Sequence, residues 1–425
     1  MIGIRGGRIL DPAKGTERVA DVVIHEGRIL SVGEPIEEEK CEKILEASGL
    51  SIAPGLMDVH VHFRDPGLTY KEDIETGAKA AARGGFTTVV CMANTKPVID
   101  NPEVLLQVLE KGKKTGIHVW TCGTVTKGMK GKELTDMEAL RELGAAGFTD
   151  DGIPILDEKV LLEAMEKGKS LGVPISLHEE DASLILNNGI NQGAVSEKLG
   201  IGGSPCEAEI RLVERDCQLA KKTGAKVNVQ HISTAGAVEA VRRAKKAGAH
   251  VWAEASPHHF TLTQEAVLRY GTLAKMNPPL RTEADRQAII EGLKDGTIDM
   301  IATDHAPHSR EEKEKPLTEA PSGIIGLETA LALGITHLVV PGHLTLMQLM
   351  EKMSKNPARL YGVKYMGIVP GAPADLVIFD ENEKWTVETF VSKACNSPFR
   401  GETLQGRVRY TICNGKIVYE AENMS

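Results

Sequence analysis

Apolar positions along this chain change their spacing twice. Near the N-terminus they fall in short strand-like runs broken by Gly and Pro, as in "IGIRGGRIL", "ADVVIHEGRILSVG" and "KILEASG". The C-terminal runs "ADLVIFD", "KWTVETF" and "VRYTICNGKIVYE" look alike, and Asn414-Gly415 in the last is a hairpin signal. Between the two ends, strand-like runs alternate with helical ones. The strand runs are "LMDVHVHF", "TTVVCMA", "IHVWTCGTV", "GFTDDG", "PISLHEE", "KVNVQHIS", "HVWAEAS" and "IDMIATDH". Helical spacing follows over 71–83, 102–115, 133–146, 157–171, 206–223, 236–247 and 284–295, then over 325–337 and 345–356. In "PEVLLQVLEKGKKT" Pro102 takes a first-turn position, Leu105, Val108 and Leu109 form an apolar stripe, and Gly116 lies past the end.

Repeated strand–helix units of this kind predict an α/β fold, a parallel (β/α)8 barrel of roughly 250 residues or more. A doubly wound open sheet is the structural alternative. The number of units and the wide scatter of polar strand ends favour the barrel. We place it at 55–364, with 1–54 and 365–425 pairing as a β-sandwich-like side domain of discontinuous sequence.

Composition narrows the function classes. The 425 residues are 41% hydrophobic and 26% charged, with a net charge of −9, as in a soluble globular protein without a basic face for nucleic acid. No apolar stretch approaches the roughly 20 residues of a membrane span. "MIGIRGGRIL" lacks a basic region followed by an apolar core, so a signal peptide is not expected. The seven cysteines have no paired spacing, which points to reduced thiols and a cytoplasmic protein.

The candidate chemistry lies at strand ends. In "DVHVHFRDPG", His60 and His62 share one face of a strand while Val61 points oppositely. An H-x-H pair alone is weak evidence for a metal. The other polar strand ends strengthen it: Asp151 in "FTDDG", His178 in "ISLHEE", His231 in "NVQHIS" and Asp304 in "IATDH". Each follows an apolar or small-residue run, at the edge where barrel enzymes carry their catalytic groups. Imidazoles and carboxylates together suit zinc. By alternation Asp150 turns away and is structural, and His305 points away as well. Asp58 keeps the histidines' parity but lies deeper, where it would orient a ligand. His258 and His259 border the rim without ligating. "GIGGSP" lacks the lysine and spacing of a phosphate loop.

"PGLMDVHVHFRDPG", "CMANTKPV", "FTDDG", "ASPHH", "MNPPLR", "ATDHAPH" and "PGAPADLVIFD" together resemble the amidohydrolase superfamily, and within it the class I dihydroorotases. The resemblance runs through nearly the whole chain. It implies a zinc-dependent interconversion of N-carbamoyl-L-aspartate and (S)-dihydroorotate in pyrimidine biosynthesis. It further implies His60, His62 and Asp304 as ligands of a first zinc, and His178 and His231 as ligands of a second. Many relatives bridge two zincs with a carboxylated lysine; Asp151 stands there in this chain, which leaves one zinc or two open. Asp304 would relay the proton between the attacking water and the leaving ring nitrogen.

Arg64 acquires a role from the same resemblance. Read as continuing the parity of 60 and 62, its guanidinium fork would bind the ring carboxylate that neutral hydantoins lack. The resemblance adds His62, Asn94 and His308 as substrate contacts, with Asn277 and the backbone at Ser322 and Gly323 reading the ring's amide edges. The charged stretch 306–323, "APHSREEKEKPLTEAPSG", has no period and predicts a mobile flap. Association of like subunits and a complex with aspartate transcarbamoylase are further implied. Two rivals stand: an allantoinase- or hydantoinase-like enzyme, and an inactive barrel serving as that transcarbamoylase's structural partner.

Overall fold

The computed structural model describes residues 1–422. Two parallel sheets make its centre. One runs Leu56–Val61, Phe86–Cys91 and His118–Thr121; the other runs Phe148–Thr149, Ile175–Leu177, Val227–Val229, Val251–Ala255 and Met300–Ile301. Single parallel bridges, Gly123 to Phe148 and Val61 to His305, join them at both edges. The eighth strand thus meets the first, and the sheet closes into a barrel. At that seam the His62 N–H donates to the His305 carbonyl at 2.8 Å.

Helices follow the strands and begin where the sequence supplies caps. Asp73 caps Ile74–Arg83 through the Thr76 N–H, and Asn101 caps Pro102–Gly112 with Pro102 in its first turn. Asp157 caps Glu158–Leu171, which ends on Gly172 at φ 70°. Leu105 and Val108 on one helix and Leu161, Ala164 and Met165 on another are buried in the main core. Each large aliphatic side chain so buried contributes about 1.5–3 kcal/mol.

Three stretches differ from the reading of the sequence. The helical spacing over 325–337 becomes a short α-helix, Ala330–Gly334, that widens into a π-helix, Ile335–Val339. The spacing over 345–356 likewise passes through a π-helix, Glu351–Lys355, and runs on to Leu360. Within 306–323, Arg310–Lys313 forms one helical turn, because Ser309 and Glu312 cap each other's backbone N–H groups.

Strands from both ends of the chain form one eight-stranded mixed sheet. Ser51–Pro54 and Leu376–Thr386 pair antiparallel, Leu376 opposite Pro54 and Ile378 opposite Ile52. Ile4, Ile24, Ile52, Leu376, Ile378 and Ile412 pack in a core separate from that of the barrel. The Asn414-Gly415 turn closes the last hairpin at φ 50° and 72°, with Cys413 opposite Lys416. Among the described residues no helix is long and apolar enough to cross a membrane.

Candidate metal centre

The first barrel strand ends at Val61, and its register against the second slips between Asp58 and Val61. That irregularity breaks the alternation that aligned Asp58 with the histidines. Asp58 turns to the backbone, accepting from the N–H groups of His60 at 3.0 Å and Thr303 at 3.2 Å. Burial pushes its carboxyl up to about 6 against those bonds. It therefore fixes the backbone beneath His60 and stitches the first strand to the eighth.

Six strand-end side chains come together at the rim, all of them buried: His60, His62, Asp151, His178, His231 and Asp304. Donor atoms of His60, His62 and Asp151 lie within 4.8 Å of one another, and so do those of Asp151, His178 and His231. Asp151 belongs to both groups. Its Oδ1 stands 3.3 Å from His60 Nε2, 3.7 Å from His178 Nδ1 and 3.8 Å from His231 Nε2. Its Oδ2 stands 3.4 Å from His62 Nε2. Asp304 Oδ1 lies 3.0 Å from His62 Nε2 and 3.5 Å from His60 Nε2.

Neighbouring groups hold these rings so that particular atoms face the cluster. His60 Nδ1 meets Glu254 Oε1 at 2.6 Å, and His62 Nδ1 meets Asn94 Oδ1 at 2.9 Å. Those bonds turn each Nε2 toward the carboxylates. The Asn94 amide also donates to Asp151 Oδ2 at 3.2 Å. His178 Nε2 meets Glu180 Oε2 at 3.1 Å, and its Nδ1 meets His231 Nε2 at 2.9 Å beside Asp151. His60 Nε2, Asp151 Oδ1 and His231 Nδ1 are buried with no hydrogen-bond partner. Uncompensated buried polar atoms are costly, and the first two stand 3.3 Å apart. This donor set fits a zinc-type cation.

The electrostatics are those of a site that trades protons for a cation. Burial opposes charge throughout. Against it, Asp151, Glu254 and Asp304 raise His60 well above its usual range, while Asp151 and Glu180 raise His178 to about 10. Burial and the Arg64 charge lower His62, despite Asp304. The imidazoles in turn hold Asp151 and Asp304 below the ordinary carboxylate range in spite of their burial. Three non-glycine residues here have positive φ: Arg64 at 59°, His231 at 30° and Asp304 at 50°. Such backbone is strained and collects at functional sites.

Arg64 corrects the parity argument. It lies beyond the strand's end, and its left-handed backbone breaks the alternation, so the turn rather than the strand aims its side chain. Gly67, at φ 94°, lets this "RDPG" turn lie against the Lys96 backbone, where a Cβ would overlap the carbonyl. The Arg64 Nε donates to the Pro307 carbonyl at 3.3 Å, and an Nη lies 3.5 Å from His308 Nε2. Among the described residues its guanidinium has no carboxylate within ion-pair distance, and burial works against its charge.

The remaining substrate candidates are placed unevenly. Asn277 keeps a buried Oδ1 without a partner, an acceptor open to a ligand. The Ser322 carbonyl already accepts from His308 Nε2 at 2.9 Å, and the Gly323 N–H donates to the Lys275 carbonyl at 2.8 Å. Those backbone groups are therefore engaged with protein. Asp150 accepts from the Val125 and Thr126 N–H groups and is structural. His305 turns toward Glu72 at 3.4 Å, away from the cluster. His259 Nε2 meets the Pro278 carbonyl at 3.0 Å, and burial lowers His258 to about 4. Reading the sequence missed Glu254 and Glu180. The signal for Glu254 was present: a carboxylate near the end of the otherwise apolar "VWAEAS" strand.

Over residues 51–418 the chain matches the amidohydrolase family. A dihydroorotase from Clostridioides difficile (strain 630) is 60% identical over 421 residues, covering 99% of this chain and 100% of that one. A dihydroorotase from Lactococcus lactis subsp. lactis (strain IL1403) is 51% identical over 420 residues, 99% of each chain. Among solved structures, the L-hydantoinase (dihydropyrimidinase) from Arthrobacter aurescens superposes with a TM-score of 0.87 at 25% identity, covering 99% of this chain and 96% of its own. The D-hydantoinase (dihydropyrimidinase) from Thermus sp. gives 0.86 at 25% identity, with coverages of 100% and 97%. The barrel and side-domain fold is thus shared with the hydantoinases, while the sequence is nearer to dihydroorotases.

Proposed function

The chain belongs to the amidohydrolase family and, within it, to the dihydroorotases, and from that membership we propose how its rim opens and closes an acidic dihydropyrimidine ring. The reaction joins water and (S)-dihydroorotate to N-carbamoyl-L-aspartate, or the reverse. His60, His62 and Asp304 would hold one zinc ion, His178 and His231 would hold a second where two bind, and Asp151 stands within reach of both groups. Support comes from the two overlapping donor groups and from the unpartnered Asp151 Oδ1. When bound, such ions supply Lewis acidity toward the scissile carbonyl and toward water.

The chain's own groups do the rest. Asp304 takes the proton of the attacking water on its carboxylate and passes it to the departing ring nitrogen. One C–O bond forms, one C–N bond breaks, and the proton is returned. Glu254 and Asn94 keep the His60 and His62 rings in place through this exchange. Arg64 grips the ring carboxylate, with His308 beside it and Asn277 offering its free acceptor to a ring N–H. Residues 306–323 close over the substrate. Glu312 ties this flap to the "RDPG" side of the rim, 2.7 Å from Lys71 Nζ and 2.9 Å from the Tyr70 hydroxyl.

The carrying observation is Arg64, whose guanidinium stands beside the metal cluster with no carboxylate within ion-pair distance. The rival reading, a hydantoinase for neutral rings, is favoured by the solved structures alone. A panel of dihydroorotate, hydantoin and allantoin separates them. Preference for dihydroorotate that collapses in Arg64→Ala supports the reading; equal turnover of neutral rings by the unaltered chain overturns it.

A further inference from the structure

A second group of metal-binding side chains lies where the barrel meets the terminal sheet. His118 starts the third barrel strand, Asp375 leads into Leu376–Thr386, and Cys413 ends Thr403–Cys413. Their donor atoms lie within 4.8 Å of one another, and His118 Nε2 is already 3.0 Å from Asp375 Oδ2. We propose that His118, Asp375 and Cys413 bind a thiophilic divalent cation of the zinc type, which clamps the barrel to the terminal sheet and takes no part in ring opening.

The geometry is near what such an ion needs. Zinc bonds of about 2.0 Å to nitrogen or oxygen and 2.3 Å to sulfur set tetrahedral donors roughly 3.3–3.7 Å apart. The His–Asp pair, now at hydrogen-bond distance, 3.0 Å, has to part by only about 0.3 Å to reach that span, and a swing of the thiol completes the set. Cys413 is free to make it. Its Sγ donates to the Thr87 carbonyl at 3.7 Å and accepts from Asn414 Nδ2 at 3.9 Å, weak bonds that a metal ion would replace. Asp375 is held in place from its other oxygen, which accepts from the Asn414 N–H at 2.7 Å. His118 and Asp375 also line a cavity of about 320 Å³. It gives an ion a way in and leaves room for water in the fourth position, as at open zinc sites.

Burial, with Asp375 beside it, pushes the Cys413 thiol up, so binding must expel its proton. Affinity at this site therefore rises with pH, as expected where a thiol must ionise to ligate. The ion would link one barrel strand to two strands of the terminal sheet, so its binding stabilises the folded chain.

The test uses the full chain loaded to saturation with Zn²⁺ or Co²⁺. The wild type should hold one metal equivalent more per chain than Cys413→Ser, with dihydroorotate turnover unchanged. The cobalt form should show a thiolate-to-cobalt absorption that Cys413→Ser lacks and Cys122→Ser keeps. Should Cys413→Ser fold poorly, His118→Gln takes its place in the metal count, and the absorption of the wild type still decides. Equal metal content in wild type and variant, or no thiolate–cobalt absorption in the wild type, overturns the proposal.

Discussion

The two ends of the barrel both set histidines beside carboxylates, yet they are built differently. At the rim, His60 Nε2, Asp151 Oδ1 and His231 Nδ1 are buried without partners, and His231 and Asp304 sit on strained backbone. At the junction, His118 and Asp375 keep 32% and 23% of their side-chain surface exposed and satisfy each other as an ion pair. The rim is costly without a ligand and the junction is not. Unpartnered buried donors with strained strand ends therefore mark the end of the barrel where chemistry is done. A similar list of residue types without those marks describes a place that a ligand can improve but does not need.

Asp304→Asn should lower kcat for dihydroorotate by about 10²–10⁴-fold, the usual contribution of a positioned acid–base group. Asp375→Asn should leave kcat unchanged in the same assay. Arg64→Ala should lower kcat/KM for dihydroorotate by roughly 10–100-fold, the worth of a hydrogen bond to a charged group. Turnover of hydantoin, if measurable, should not fall with it. Glu254→Gln should weaken metal binding by about 10–100-fold in competition with a chelator, because it loosens the His60 ring. In metal-free protein, His118→Gln should cost about 1 kcal/mol or less in urea unfolding, as expected for a partly exposed ion pair.

The smallest effect concerns the flap. Burial and the Lys275 charge lower Lys313, in the helical turn of the flap, from 10.5 to about 7, although Glu312 opposes the shift. The closed flap therefore holds fewer protons than the open one between those values. Closure should strengthen as pH rises through about 7 and level off near the ordinary lysine value. Limited proteolysis without substrate should cut 306–323 faster at about pH 6 than at about pH 8.5. Equal rates, or protection greater at the acid end, would remove Lys313 from the account.

Much of this was legible in the sequence because it follows from period and position. Strand runs ending in His60, His178, His231 and Asp304 announce a rim, since polar residues closing apolar strands have few other places to be. Asn414-Gly415 announced its hairpin because only such residues adopt positive φ cheaply. What alternation could not foresee were the places where the backbone leaves its period. The slip between Asp58 and Val61 turned Asp58 to the backbone, and the left-handed turn at Arg64 aimed its side chain by means other than parity. Glu254 was hidden for another reason. Its partner, His60, is 194 residues away, and only the closed barrel brings the two within 2.6 Å. His118, Asp375 and Cys413 were unreadable on the same ground, being drawn from three elements that meet only at the junction.

The rim should turn over an acidic ring only with metal in place. The most direct test is a dihydroorotate assay on purified protein whose metal content is measured before chelation, after chelation and after zinc is returned. The account predicts activity that falls with the rim's metal and recovers with it. Full activity in protein shown to be metal-free would contradict it.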